Sequence, residues 1–312
     1  MPTPNTQVAD DAAGPLPALP GSYGEAPLGF RLPSATRLGT VRLQVTDLDR
    51  SIAWYAQVLG LAVIARQDTA AALGVPGNAE PLMILEHRAG SRPVRPGSRL
   101  GLYHVALLLP DRAALGRFIQ HLAQHGLRAG ASDHLVSEAV YLQDPDGLGI
   151  EVYADRSPAH WRRAGRELQM ATDPLDIAAV VASAQGGAWT GAPAGTSIGH
   201  VHLHVGDLDV ANAFYHAALG FDRMVWRYPG ALFLAAGGYH HHLGINTWAA
   251  GAAAPGPDEA QLLGWTLVLP AAADVAALAR SAGLAGYDVT RSDQGVLLAD
   301  PWGTRLWVTS AA

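Results

Sequence analysis

Two stretches of the chain show the same change of pattern, from alternating hydrophobic and polar positions to a helical spacing. Residues 38–61 (LGTVRLQVTDLDRSIAWYAQVLGL) and 198–221 (IGHVHLHVGDLDVANAFYHAALGF) align without a gap at an offset of 160. The alternation predicts a strand, and the spacing that follows predicts an amphipathic helix. Asp47 and Asp207 are placed to cap these helices, and the Leu-Gly at each end suits a left-handed C-terminal turn.

A second pair of stretches repeats at the same offset. Residues 101–127 and 264–287 each predict a strand followed by a helix. Each of these units ends in a strand pair joined by an Asp-Pro-x-Gly turn, at 140–153 and 297–308. The repeats therefore predict four βαβββ modules, numbered 1 to 4 along the chain, and an α+β fold.

The modules divide the chain into four parts. We predict a flexible N-terminal tail (1–35), modules 1 and 2 (36–155), a helical connector (156–190) and modules 3 and 4 (191–312). The tail is rich in Pro, Gly and Ala and lacks a basic start followed by an apolar run, so it does not predict a signal peptide. No apolar run approaches the ~20 residues that span a bilayer. We therefore expect a cytoplasmic protein that does not associate with membranes.

Charge and cysteine content narrow the function further. The net charge is −6 and there is no dense Lys/Arg run, which argues against nucleic acid as a partner. The chain has no cysteine, so disulfides, thiolate metal sites and cysteine nucleophiles are excluded. Any metal site must use histidine and carboxylate ligands.

Three histidines alternate along the predicted first strand of module 3. His200, His202 and His204 would share one face of that strand. One histidine among apolar residues is usually a buried core residue, whereas three in alternation raise the question of a metal site.

The motifs VTDLDRSIAWYAQVLGL, VGDLDVANAFYHAALGF and DPDGLGIEVY resemble the vicinal oxygen chelate superfamily. This superfamily includes glyoxalase I, bleomycin-resistance proteins and type I extradiol dioxygenases. The resemblance extends from about residue 36 to 309. It implies that two modules pair into a cup-shaped mixed sheet, so four modules form two such sheets. It also implies a divalent metal in the cup, with ligands from the first and last strands of the modules.

The repeat tests these implied ligand positions one by one. The first-strand position is Thr40 in module 1 and His200 in module 3, and it is His104 in module 2 and Gly264 in module 4. The last-strand position, seven residues after the Asp of the Asp-Pro-x-Gly turn, is Glu151 in module 2 and Trp307 in module 4. Only one complete set remains: His104, Glu151 and His200.

Two histidines and one carboxylate are the ligand set of non-haem Fe(II) oxygenases. Because His104 and Glu151 belong to module 2 and His200 to module 3, we expect module 2 to pair with module 3. Modules 1 and 4 would then form a metal-free sheet. Manganese accepts the same ligands, so Mn(II) stays open beside Fe(II).

Further residues match the extradiol dioxygenases. Tyr141 precedes Glu151 by ten residues, as a tyrosine does in that family, and His134 precedes this tyrosine. The run His240-His241-His242 lies where the family carries an acid–base histidine on an inner strand, and alignment favours His241, although either neighbour stays open. Asn246 and Trp248 end that strand and are candidate substrate-binding residues.

The resemblance therefore implies an extradiol catechol 2,3-dioxygenase that uses Fe(II) and O₂ to cleave a small aromatic diol. Two alternatives stay open: a glyoxalase-like metal-dependent isomerase or lyase, and a non-enzymatic drug-binding protein of the same fold. The former typically has four protein ligands, and module 3 offers no obvious carboxylate for the fourth. The sequence does not decide the substrate's ring substituents or whether the chain forms a homo-oligomer.

Overall fold

The four modules each form a strand, a helix and three further strands, as the repeat predicts. The structure is a computed structural model and describes residues 14–293 and 295–311. Module 1 consists of β2 (Arg37–Val45), α1 (Leu48–Leu59), β3 (Ala62–Arg66), β4 (Ala70–Gly74) and β5 (Pro81–His87). Module 2 consists of β6 (Gly101–Leu108), α2 (Arg112–Gln124), β7 (Gly130–Asp133), β8 (Ser137–Gln143) and β9 (Gly149–Asp155).

The second half repeats this order. Module 3 consists of β12 (Ser197–His204), α4 (Leu208–Asn212), a π-helical segment (Ala213–Ala218), β13 (Asp222–Val225), β14 (Ala231–Ala235) and β15 (Leu243–Asn246). Module 4 consists of β16 (Gln261–Leu269), α5 (Ala272–Leu284), β17 (Thr290–Ser292), β18 (Gly295–Ala299) and β19 (Arg305–Ser310).

The modules pair across the two halves of the chain. One eight-stranded sheet has the order β13-β14-β15-β12-β6-β9-β8-β7 and is called the 2/3 sheet, after its modules. The other has the order β17-β18-β19-β16-β2-β5-β4-β3 and is called the 1/4 sheet. In each sheet the first strands of the two modules are antiparallel neighbours, β12 with β6 and β16 with β2. The α+β prediction and the predicted module pairing are confirmed.

The predicted helix caps of modules 1 and 3 are present. The Asp47 carboxylate accepts from the Arg50 N–H, and Asp207 accepts from the Val210 N–H. Gly60 closes α1 at φ 68°, a left-handed conformation that glycine adopts at little cost. The module 3 helix differs from the prediction of a regular α-helix, since its second half is π-helical.

The predicted helical connector, 156–190, is wrong over most of its length. Its α-helix is short (α3, Ile177–Ser183), and a 3₁₀ turn (Pro158–His160) precedes two strands, β10 (Arg162–Ala164) and β11 (Glu167–Leu168). These strands pair with β1 (Leu16–Pro17) in a three-stranded sheet. Part of the predicted flexible tail is therefore a paired strand, while its residues 1–13 lie outside the described residues.

One hydrophobic cluster connects the two sheets. It includes buried residues of both central strand pairs, such as Val41 of β2, Val105 of β6, Val201 of β12 and Trp265 of β16. Because both sheets contribute to one core, the 2/3 sheet is held rigidly and its other face is free to carry a site. Among the described residues, no helix has the length and hydropathy to cross a membrane.

Candidate metal centre and active site

The three residues that the sequence predicts as metal ligands lie together on the 2/3 sheet. The Nε2 atoms of His104 and His200 lie 2.9 Å and 3.1 Å from Oε2 of Glu151. All three ligand atoms lie within 4.8 Å of one another. His104 is on β6, Glu151 on the neighbouring parallel strand β9, and His200 on the antiparallel neighbour β12, so the central strands of the sheet bring them together.

Burial defines the charge state of this cluster. His200 is 1% exposed and Glu151 is 2% exposed. Burial lowers the pKa of His200 to about 4 against the opposing effect of Glu151, so its imidazole is neutral at pH 7. Burial alone would raise the pKa of Glu151, but the two neighbouring imidazoles lower it well below its usual value. A buried carboxylate is costly without a compensating cation, so the cluster fits a metal ion.

The cluster opens onto a cavity of about 350 Å³. Seven of the eight predicted site residues line this cavity: His104, His134, Tyr141, Glu151, His200, His241 and Trp248. The remaining wall is mostly apolar and includes Phe233 and Met170. A concave, mainly apolar space with a few polar groups is typical of a small-molecule site.

Tyr141 and His134 form one hydrogen-bonded pair at the wall of this cavity. Tyr141 is the cross-strand partner of Glu151 in the β8–β9 ladder. The Nδ1–H of His134 donates to the carbonyl of Ala171 at 2.6 Å. When the ring carries this one proton, its Nε2 accepts from the Tyr141 hydroxyl. The tyrosine oxygen then has lone pairs free to accept from a bound ligand. Burial, followed by the charge of Glu151, raises the pKa of Tyr141 well above its usual value.

The histidine run lies just before β15, in the connection from β14, and not within a strand as the sequence predicts. Only His241 of the three lines the cavity, and its ring centroid lies 4.1 Å from that of His200. His240 faces Asp155, while Nδ1 of His242 accepts from the Ala236 N–H at 3.2 Å. Burial lowers the pKa of His241 well below its usual value, so this imidazole is neutral at pH 7.

Asn246 does not line the cavity, which corrects its prediction as a substrate-binding residue. Its Oδ1 accepts from the Trp248 N–H and lies 2.7 Å from Nδ1 of His204. Its Nδ2 therefore faces Nε2 of His202, at 3.0 Å, and donates to it. Asn246 is completely buried and orients two histidines of β12. Trp248, in contrast, is 50% exposed at the cavity mouth, where its indole donates to the carbonyl of Pro229.

His202 is the main cavity residue that the sequence reasoning left without a role. It lies on the same strand face as His200, and the alternation of β12 already indicated this placement. Tyr103, Tyr228 and Phe233 were also missed. Tyr103 lies on β6 and Phe233 on β14, while Tyr228 lies between β13 and β14, and only the tertiary fold brings the three together.

A fourth ligand position is absent from this cluster. In module 2, Glu151 of β9 lies opposite the residue that is two positions after the ligand His104 on β6. In module 3 the same place, opposite His202, is Gly244. A Cβ atom added to Gly244 would lie 2.7 Å from Cγ of His202, so this imidazole fills the space that a fourth ligand side chain would need. Among the described residues, no further histidine or carboxylate joins the group.

Comparison with known proteins agrees with this fold. The sequence model of the glyoxalase/bleomycin resistance protein/dioxygenase superfamily matches residues 37–152 and 197–308. A protein of Bacillus subtilis (strain 168) named catechol-2,3-dioxygenase is 42% identical over 271 residues, which is 85% of this chain and 94% of the relative.

Solved structures share the fold at lower identity. A putative dioxygenase from Bacillus subtilis subsp. subtilis str. 168 has a TM-score of 0.61 at 14% identity, covering 90% of this chain and 86% of its own. Glyoxalase I from Zea mays has a TM-score of 0.51 at 17% identity, covering 88% of this chain and 92% of its own. The chain belongs to the glyoxalase/bleomycin resistance protein/dioxygenase superfamily.

Proposed function

We propose that this protein is an extradiol dioxygenase that adds both atoms of O₂ to a catechol-type diol and cleaves the ring beside its two hydroxyl groups. The observation that carries the proposal is the buried His104–Glu151–His200 cluster at the wall of an apolar cavity. The relative named catechol-2,3-dioxygenase, at 42% identity, supports the same activity.

His104, His200 and Glu151 would hold the metal ion, which we propose to be Fe(II). Two imidazoles and one carboxylate leave coordination positions open, as non-haem Fe(II) oxygenases require. When bound, the ion supplies a template for diol and O₂ and a route for electrons between them. Manganese accepts the same donor atoms, so metal analysis of the purified protein decides between the two ions.

His241 is the base of the proposed reaction. Its neutral imidazole faces the cavity beside His200, where it would take a proton from a diol hydroxyl group and later return one. The low pKa that burial imposes keeps its lone pair available at neutral pH.

Tyr141 would bind the diol hydroxyl that keeps its proton. Its own proton is directed to Nε2 of His134, so the tyrosine oxygen accepts from the substrate. His134 acts through Tyr141 in this arrangement, because the carbonyl of Ala171 fixes its ring.

Apolar side chains of the cavity would hold the aromatic ring and exclude water. Phe233 and Met170 lie in the wall, and Trp248 covers part of the mouth. Aromatic rings pack favourably against such surfaces in edge-to-face or offset geometry.

A glyoxalase-like activity is the main alternative of the same fold. It typically requires a fourth protein ligand, and here the corresponding position is Gly244 with His202 packed against it. This arrangement favours the three-ligand site and ring cleavage.

The experiment is oxygen consumption by the protein loaded anaerobically with Fe(II) and then given catechol. We expect one O₂ consumed per diol and a yellow semialdehyde product. Retention of iron without oxygen consumption on any of a panel of substituted catechols would contradict the proposal. Metal-dependent isomerisation of a thiohemiacetal would establish the glyoxalase alternative, and a protein that binds aromatics but retains no metal would establish the sequestering one.

A further inference from the structure

His240 is buried next to His241 but does not line the cavity, and both of its ring nitrogens have partners. Its Nε2 lies 2.8 Å from Oδ1 of Asp155, and its Nδ1 lies 2.7 Å from Nδ1 of His241. Asp155 ends β9, and its side chain is 28% exposed. The three residues form a hydrogen-bonded chain from the protein surface to the cavity.

The chemistry of the partners fixes where the protons lie in this chain. The Asp155 carboxylate only accepts, so Nε2–H of His240 donates to it. When the His240 ring carries this one proton, its Nδ1 accepts, and the donor is Nδ1–H of His241. Nε2 of His241 is left with its lone pair. Among the described residues this atom has no hydrogen-bond partner, and its ring faces the cavity.

Two tyrosines extend the network at its outer end, and one of them, Tyr239, contacts the Asp155 carboxylate. The Tyr239 hydroxyl donates to Oδ1 of Asp155 at 3.2 Å, and the Tyr153 hydroxyl lies 2.7 Å from that of Tyr239. Burial raises the pKa of both tyrosines well above its usual value, so both remain protonated. Asp155 therefore accepts from His240 and Tyr239 together.

The backbone of β12 leaves space for this network. A Cβ atom added to Gly199 would lie 1.8 Å from the Tyr153 hydroxyl oxygen. Gly199 directly precedes the ligand His200, and only a glycine at this position lets the Tyr153 hydroxyl reach Tyr239.

We infer that Asp155, acting through His240, is a positioning residue that holds His241 with its proton on Nδ1 and its lone pair on Nε2 toward the cavity. The tautomer follows from the hydrogen bonds of a His240 ring that carries one proton, and its meaning for catalysis rests on the proposed dioxygenase function. A third group that orients a catalytic imidazole and selects its tautomer is a recurring arrangement in enzymes that use histidine as a base.

The tautomer is directly measurable by NMR on the full chain with ¹⁵N-labelled histidine, metal-free and loaded with diamagnetic Zn(II). Long-range nitrogen–proton correlations distinguish a protonated Nδ1 from a protonated Nε2, and His241→Asn assigns the signals. We expect His241 protonated at Nδ1 in the wild type. We expect this preference to be lost in Asp155→Ala and in His240→Phe, which keeps an aromatic ring beside Tyr239 and Trp161 but has no nitrogen.

Steady-state kinetics of the Fe(II)-loaded variants test the consequence. Asp155→Ala and His240→Phe should lower kcat by about 10–100-fold, the usual effect of losing such a supporting partner. The KM for catechol and the iron content should stay close to wild type. Asp222→Ala is the matched control, because it removes a buried carboxylate of the same sheet that pairs with Arg31 away from the cavity. It should leave kcat unchanged.

Two results would overturn the inference. One is a proton on Nε2 of His241 in the wild type, and the other is an unchanged tautomer and kcat in both variants. Failure of the proposed function is distinct, since a wild-type protein that consumes no O₂ with catechols would leave the NMR result unaffected.

Discussion

The two sheets of this protein have the same strand order and the same module architecture, yet only the 2/3 sheet carries a group of metal-ligating side chains among the described residues. In the 1/4 sheet the three equivalent positions are Thr40, Gly264 and Trp307. The Thr40 hydroxyl donates to the carbonyl of Pro81 at 2.8 Å, in place of a ligand nitrogen. The difference between the sheets at this site therefore lies in a few side chains and not in the strand order.

One larger side chain, that of Trp307, fills the place of the metal centre in the 1/4 sheet. A Cβ atom added to Gly264 would lie 2.4 Å from the Trp307 ring, so the indole occupies the space that His104 has in the other sheet. The Arg42 guanidinium lies 5.5 Å from the centroid of Trp307 and donates to Glu86 at 2.7 Å.

This last pair occupies the repeat positions of His202 and Asn246, offset by 160. The repeat thus kept a polar pair at this place in both sheets but changed its chemistry. An ion pair stands beside an indole in one sheet, and an amide–imidazole pair stands beside the metal ligands in the other.

The largest expected contrast comes from the first-strand position. His200→Ala should abolish iron retention and lower turnover by more than about 100-fold, since losing a ligand exceeds the effect of losing a supporting partner. Thr40→Ala, its repeat equivalent, should leave both unchanged. Iron content by elemental analysis and oxygen uptake measure the two variants. Equal damage from Thr40→Ala would contradict the assignment of the metal centre to the 2/3 sheet.

The next contrast lies within the histidine run. His241→Asn should keep iron bound but lower kcat by about 10²–10⁴-fold, the usual contribution of a general base. His242→Asn should retain turnover, because His242 does not line the cavity and asparagine can still accept from the Ala236 N–H. If His242→Asn were the more damaging variant, His241 would not be the base.

A smaller effect is expected for glycines at the equivalent position of β12 and β2. Gly199→Ala places a methyl group on the Tyr153 hydroxyl and should lower the free energy of unfolding by about 1–3 kcal/mol, as overpacking does. Gly39→Ala meets only side-chain atoms of Val268 and Thr266, at 3.0–3.2 Å, and should cost less. Urea unfolding of both variants measures the difference, and a larger loss for Gly39→Ala would be inconsistent with the tight packing of Tyr153.

The smallest effect is expected for Glu86→Gln in the 1/4 sheet. The Arg42 and Glu86 side chains are 40% and 37% exposed, so their ion pair contributes no more than about 1 kcal/mol to stability. Turnover should be unchanged, because this sheet has no part in the proposed reaction. A loss of turnover in this variant would show that the two sheets are functionally coupled.

The repeat made the pairing of modules predictable, because a ligand set divided between His104, Glu151 and His200 requires modules 2 and 3 to be neighbours. The role of Asn246 was not predictable in the same way. A residue at the end of a strand can face either the cavity or the neighbouring strand. For Asn246, the positions of His202 and His204 on β12 decide this, and the sequence does not give them. The apolar neighbours of the histidine run predict a strand. The run lies instead in the connection between β14 and β15, which tertiary contacts stabilise.

The connector shows a second limit of sequence reasoning. Its strands β10 and β11 have three and two residues. They pair with each other, and β10 also pairs with Leu16–Pro17, more than 140 residues away along the chain. Segments this short have no measurable periodicity, and their conformation depends on long-range pairing. The Ala-rich composition favoured a helix, which forms only at Ile177–Ser183.

The most direct test of the account is anomalous diffraction at the iron absorption edge from crystals grown anaerobically with Fe(II). We expect one strong peak between His104, Glu151 and His200, and no peak between Thr40, Gly264 and Trp307. A peak coordinated without His200, or a peak in the 1/4 sheet, would contradict the claim that modules 2 and 3 together form the metal centre.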